Sequence, residues 1–206
     1  PASATAGEMR VDTTTNTTLV YNGTEWKTLK EIGLSFNLDF LVVAAGGTGE
    51  KGGGGGGGLR TSYGSTSGGG SSNESSLALA IGAPYTVTVG APGGRTSAGG
   101  DSVLDTITSL GGGAGNNYFY PSTAGGSGGG GAGGGGGGSA AWNDGNLGTA
   151  NQGFKGGNTG SNIELGGGGG GASAVGGNSN NSYYISGNGG AGLEVNIIGG
   201  TGNYYA

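Results

Sequence analysis

The chain has 206 residues, 60 of them glycine, no cysteine and no histidine; 7 Lys+Arg stand against 12 Asp+Glu, for a formal net charge of −5. This composition excludes a disulfide framework, Cys/His zinc chemistry, Cys–His nucleophiles and a Ser-His-Asp triad. It argues against nucleic-acid binding, which needs a basic stripe to neutralise phosphates, and no run of 18 apolar residues predicts a membrane span.

The chain begins at Pro1 without Met or a signal-peptide pattern, which predicts a processed part of a longer protein. Residues 1–35 carry ordinary strand chemistry and are expected to form a small module. Residues 8–12 (EMRVD) alternate Met9 and Val11 with Arg10 and Asp12. Residues 13–17 read as a turn, and 18–21 (TLVY) as a second strand. Asn22-Gly23 predicts a type I′ hairpin turn into a third strand, 25–29 (EWKTL). Such a meander is too small to be stable alone, so its apolar residues are expected to pack on the rest of the chain or on further copies.

From residue 36 to 206 a glycine-rich domain is expected. Residues 36–45 (FNLDFLVVAA) read as one buried strand, and 77–81 with 85–89 as a hairpin across Gly82-Ala83-Pro84. Residues 101–110 read as a strand pair or one bent strand, and 193–198 as a last strand. No window has helical spacing of apolar residues, and glycine disfavours helix by about 1 kcal/mol per position, so no α-helix is expected. The predicted class is all-β and irregular: a short antiparallel module, then β-strands with polyglycine.

Glycine is unbroken over 52–58 and 166–171, and 128–138 is interrupted only by Ala132. Between residues 111 and 192 such tracts alternate with polar-aromatic inserts at 116–124, 139–162 and 178–186. Glycine loses the most backbone entropy on folding and buries no side chain in return. Two readings follow. The tracts are flexible linkers, or they are polyproline II helices packed side by side. The latter have three residues per turn, and only glycine permits such close approach. The near purity of the tracts, with Ala and Ser as the frequent guests, favours the packed bundle.

Two stretches carry a family resemblance. Residues 7–29 (GEMRVDTTTNTTLVYNGTEWKTL) resemble a short β-module of phage tail-fibre and other virion structural proteins. Downstream, FLVVAAGGTGEKGGGGGGG, APYTVTVGAPGG, GGDSVLDTITSLGGGAG and GNGGAGL, in that order, resemble a glycine-rich domain of phage tail proteins and some bacterial surface proteins. The design is also similar to tail-fibre tip adhesins of T-even-like phages, which stack glycine tracts as polyproline II helices. The resemblance implies a virion location, or alternatively a bacterial cell surface. It implies a homotrimer in contact with other virion proteins, and recognition of a host glycan or outer-membrane protein by the segments between tracts.

No catalytic, cofactor or metal residue is expected. Matches to G-x-G-x-x-G and G-x-S-x-G arise trivially from the glycine blocks, with no strand–helix context and no histidine. The carboxylates Asp101, Asp105, Asp144, Glu164 and Glu194 show no spacing that predicts acid–base work. The expected receptor-binding residues are the insert aromatics Tyr118, Phe119, Tyr120, Trp142, Tyr183 and Tyr184, with Tyr204 and Tyr205. Tyr among Ser, Gly and Asn offers large contact area at low entropy cost, as in antibody loops. The competing reading makes these aromatics caps over the bundle or subunit-interface residues. A purely structural fibre, capsid-decoration or filament subunit is the corresponding alternative function.

Overall fold

The computed structural model describes residues 4–29, 35–117, 119–133, 144–160 and 164–206. The chain forms two compact units, Pro1–Leu38 with Ser76–Tyr85, and Asp39–Ser75 with Thr86–Ala206. The expected boundary at residue 35 therefore differs from the observed one, because a strand at 35–38 pairs with one at 77–80.

In the first unit β1 (Met9–Asp12), β2 (Thr17–Tyr21) and β3 (Trp26–Thr28) form an antiparallel sheet in that order. Met9 faces Val20, Asp12 faces Thr17 and Tyr21 faces Trp26. Asp12 makes the first turn: its Oδ1 accepts the N–H groups of Thr14 and Thr15 at 2.9 and 3.3 Å. The second turn is not type I′. That turn needs positive φ at both central residues, and here Gly23 has φ 101 while Asn22 is not left-handed. Asn22 Oδ1 instead accepts from the backbones of Thr24 and Glu25, both at 2.9 Å, giving a four-residue loop. Arg10 lies 4.2 Å above the Trp26 ring, and Tyr21 tilts against the same ring at 5.5 Å. Met9 and Val11 remain exposed.

β4 (Ser35–Leu38) pairs with the later strand β7 (Leu77–Ala80), and Leu79 is buried. Two expectations fail here. Residues 36–45 are not one strand: the ladder breaks at Asp39-Phe40 and resumes as β5 (Leu41–Val43) in the second unit. Phe40 is clamped there by its own backbone, whose N–H donates to Ser62 Oγ at 2.9 Å and whose carbonyl accepts Thr61 Oγ1 at 2.7 Å. The 77–81/85–89 hairpin does not form either. Gly82 turns left-handed and Pro84 lacks an N–H to start a ladder. The Tyr85 hydroxyl then closes the bend on the Ala80 backbone.

In the second unit β5 pairs with β6 (Leu59–Thr61). β8 (Val87–Thr88), β9 (Ser102–Leu104) and β10 (Ile107–Ser109) form a three-stranded sheet with β9 central. Of the two readings of 101–110 the pair is the one observed, turning at Asp105 with φ 52. The last expected strand is shorter, β11 (Leu193–Glu194), paired with β12 (Tyr204–Tyr205). Among the described residues the only helical turn is 3-10, at Gly68–Gly70.

The glycine tracts form a lattice of polyproline II-like segments. Gly52, Gly55 and Gly58 donate to the carbonyls of Asn116, Gly113 and Leu110 at 3.0, 2.8 and 2.8 Å. Gly53 and Gly56 donate to those of Gly167 and Gly170 at 2.9 and 3.0 Å. Each neighbour is thus met every third residue, whereas a β-strand meets one every second. Three is the polyproline II period, and no glycine of 52–58 has positive φ. The carbonyls of Gly53 and Gly56 accept from Gly130 and Ser127, and those of Gly55 and Gly58 accept from Gly47 and Ala44. The β5–β6 register therefore passes without a break into the glycine segments that follow.

Residues 165–172 lie deepest. All are buried, and they bond laterally to segments 53–56, 128–131, 154–157, 174–177 and 187–190. A Cβ on Gly130 would strike the Gly167 carbonyl, and one on Gly169 the Gly54 carbonyl. Glycine at these positions is a steric requirement. The insert expected at 139–162 is in part lattice as well, since Gly128 and Gly131 donate to its carbonyls at Phe154 and Gly157, and Asn146 N–H donates to the Gly129 carbonyl. Its glycines fall where the segment meets neighbours, which frees the intervening positions for Leu147 and Lys155.

The apolar core is small and sits at one end of this bundle. Leu59, Ala172 and Val195 are fully buried, packed by Leu41, Val43, Leu193, Ile197 and Tyr205. Each lattice bond contributes a modest net amount, about 0.5–1.5 kcal/mol; it is their number, more than the core, that offsets the entropy of ordering glycine.

Candidate functional site

The bundle has two unlike ends. At one lie β5–β6, the β8–β9–β10 sheet and the apolar core. At the other the segments turn over in loops at 48–51, 119–121 and 179–185. The first two loops interlock: Lys51 and Gly52 both donate to Asn116 O, at 3.2 and 3.0 Å. Arg95 Nε donates to Glu50 at 2.8 Å. The Arg95 guanidinium, aided by the Asn117 side chain, holds the Glu50 carboxyl below its usual range. Lys51 pairs with Glu164 at 3.8 Å.

Asn117 builds the aromatic loop. Its buried Oδ1 accepts the N–H groups of Phe119 and Tyr120, both at 2.8 Å, and its own N–H donates to Tyr120 O at 3.1 Å. This turn holds Phe119 and Tyr120 outward, 79% and 61% exposed. At 180–185 a tight hairpin is closed by two bonds between the Asn180 and Ile185 backbones, at 2.7 and 3.1 Å. Asn180 Oδ1 accepts Ser182 N at 3.0 Å, and Tyr184 is left-handed with φ 55. Tyr183 and Tyr184 stand 74% and 75% exposed.

The sequence-predicted site residues thus separate. Phe119, Tyr120, Tyr183 and Tyr184 occupy the loop end, but on two flanks: segment 111–117 bonds to 44–48, 52–58 and 127–130, and segment 174–179 bonds to 155–158 and 168–171. Tyr204 and Tyr205 belong to the sheet end. Tyr205 packs on the Leu59–Ala172–Val195 core, and Tyr204 is its exposed strand neighbour. Tyr118 and Trp142 lie outside the described residues.

The carboxylates are dispersed in structural duties. Asp101 accepts Gly111 N at 2.8 Å. The Gly202 N–H, then Asn196, hold Glu194 below its usual range. Among the described residues no group of His, Cys, Asp and Glu is placed to hold a metal ion, and no helix is long and apolar enough to cross a membrane.

Sequence reasoning missed a polar cleft at the sheet end, of about 400 Å³, between Arg60, Glu74 and Gln152. Its residues are scattered over some ninety positions of chain, and no spacing announces them. It also missed the buried Asn116 and Asn117, which read as insert residues and prove to be lattice and turn formers.

No family model matches the chain, and no match is found among curated proteins or solved structures.

Proposed function

We propose that the chain is a non-enzymatic fibre protein of a virion, whose loop end recognises a host cell-surface glycan or outer-membrane protein. One observation carries this reading. Phe119, Tyr120, Tyr183 and Tyr184 are held in solvent by tight turns at one end of a side-chain-poor bundle. Exposing large aromatics on well-ordered turns forgoes their burial, which is worth about 1.5–3 kcal/mol for a large apolar side chain; a partner surface recovers that loss. The resemblance of residues 7–29 and of the glycine-rich segments to phage tail proteins supports the same reading. It takes no cofactor.

The test is saturable binding of the labelled protein to a panel of intact bacteria and isolated surface glycans. The quadruple variant F119S/Y120S/Y183S/Y184S should lose that binding and keep the wild-type melting temperature. Equal binding by the variant sinks the proposal.

A structural fibre subunit is the second reading. It is favoured by Met9 and Val11, exposed on the edge strand β1, and by exposed Val87 on the edge strand β8 with exposed Val89 just beyond it. On that reading copies cover these faces, as a homotrimer. Light scattering should then give three times the 19.3 kDa chain mass, reduced in a Met9→Ser/Val11→Ser variant.

A further inference from the structure

The polar cleft at the sheet end has the chemistry of a second binding site. Arg60 and Glu74 form a two-pronged pair, Nε to Oε1 at 2.7 Å and Nη2 to Oε2 at 2.5 Å, and Nη1 donates to Thr108 O at 3.1 Å. Ser71, Ser72, Asn151 and Gln152 complete the walls. The pair neutralises itself, so the cleft offers no net charge to an anion or a cation.

Gln152 is the decisive residue. It is 9% exposed, and its Oε1 accepts the Leu110 N–H at 2.7 Å. That bond fixes which end of the amide is which. It leaves the Nε2 donors with no protein partner among the described residues. Asn151 repeats the arrangement at the rim: its Oδ1 accepts the Ser71 hydroxyl, and its Nδ2 has no partner among the described residues. Gln152 Nε2 is reached by the solvent of the cleft rather than sealed from it, and Asn151 is exposed, so both amide donors are open to the acceptors of a ligand. The cleft volume lies within the range of small-molecule sites.

We infer that this cleft binds a neutral sugar unit. Its hydroxyls would accept from Gln152 Nε2 and Asn151 Nδ2, exchange hydrogen bonds with the Ser72 hydroxyl, and donate to the remaining lone pairs of Glu74. Hydroxyl groups both donate and accept, which suits walls that carry both kinds of group and no net charge. The site is at the opposite end from the exposed aromatics and does not depend on them.

The test is a two-dimensional NMR titration of the ¹⁵N-labelled full chain with glucose, galactose, mannose, N-acetylglucosamine and maltose, with inorganic phosphate as the anion control. At least one sugar should give saturable shifts at the Gln152 and Asn151 side-chain amides and the Ser72 backbone. Asn151→Gly, which keeps the left-handed φ of 66 accessible, should weaken binding about tenfold, as losing the hydrogen bonds of one amide does. Ser72→Ala should weaken it less. No shift with any sugar, shifts confined to the 119–121 and 179–185 loops, or a stronger response to phosphate would each overturn the inference. Sugar shifts that persist unchanged in both variants would do so as well.

Discussion

The β1–β2–β3 meander and the glycine bundle solve the same problem by opposite means. The meander fixes its backbone with side chains: Asp12 and Asn22 shape the turns, and Trp26 gathers Arg10 and Tyr21. The bundle fixes its backbone with backbone, and a side chain at Gly130 or Gly169 would break it. A meander tolerates sequence change as long as its pattern survives. The bundle tolerates change only where a segment faces outward.

The sharpest way to break this comparison is to add carbon to the lattice. Gly130→Val drives its Cβ into the Gly167 carbonyl and should cost about 3 kcal/mol or more in urea denaturation, at the top of the overpacking range. Gly189→Ala meets nothing within 4 Å; it should be neutral or stabilise by up to about 1 kcal/mol through the unfolded chain. Equal costs at the two positions would mean the lattice is not the source of stability.

The aromatics give the next contrast. Tyr205→Ser removes a ring packed on the small core and should cost about 2–3 kcal/mol. Tyr183→Ser and Tyr184→Ser remove exposed rings and should stay within about 0.5 kcal/mol. A large loss at Tyr183 would make it a cap over the bundle.

Hydrogen exchange reads the lattice directly. Gly53, Gly55 and Gly56 donate laterally, whereas Gly54 N–H has no partner among the described residues. Protection should therefore skip every third amide along 52–58. Uniform fast exchange would return the tracts to flexible linkers.

The smallest effect is on pH. Asp12, Glu50 and Glu194 are held below their usual carboxylate values by the Thr14 N–H, by Arg95 and by the Gly202 N–H respectively. A lowered folded-state value means the stabilisation is complete above the ordinary carboxylate range and is lost as pH falls through the folded-state values. The melting temperature should be flat above about pH 5 and decline in acid. Asp12→Asn should flatten the decline slightly, since that carboxylate holds only a surface turn, through the Thr14 and Thr15 N–H groups.

Much was legible in the sequence. Alternation at 9–12, the short strand at 18–21, the absence of helical spacing, strand chemistry at 101–110 and the need of pure glycine for close approach all follow from local chemistry. The errors have local causes too. The 36–45 run read as one strand because its apolar residues are continuous, and nothing nearby reveals that Ser62, some twenty residues on, clamps Phe40. Leu77–Ala80 looked like half of a hairpin because its true partner, β4, lies about forty residues upstream. The 139–162 insert looked like a loop because the polar residues between its glycines hid a glycine spacing that fits the lattice.

By itself, then, the sequence determined the kind of structure: short strands, no α-helix, and tracts able to pack backbone on backbone. Tertiary structure alone decided which tract lies beside which. Identical glycines carry no side chain to encode a partner or a register, so those were set by the strands that feed them, as β5–β6 aligns 44–47 with 55–58. The same holds for the aromatics. Composition marked Tyr183, Tyr184, Tyr204 and Tyr205 as alike, and only the direction of the bundle placed one pair in solvent at the loop end and Tyr205 against the core at the other.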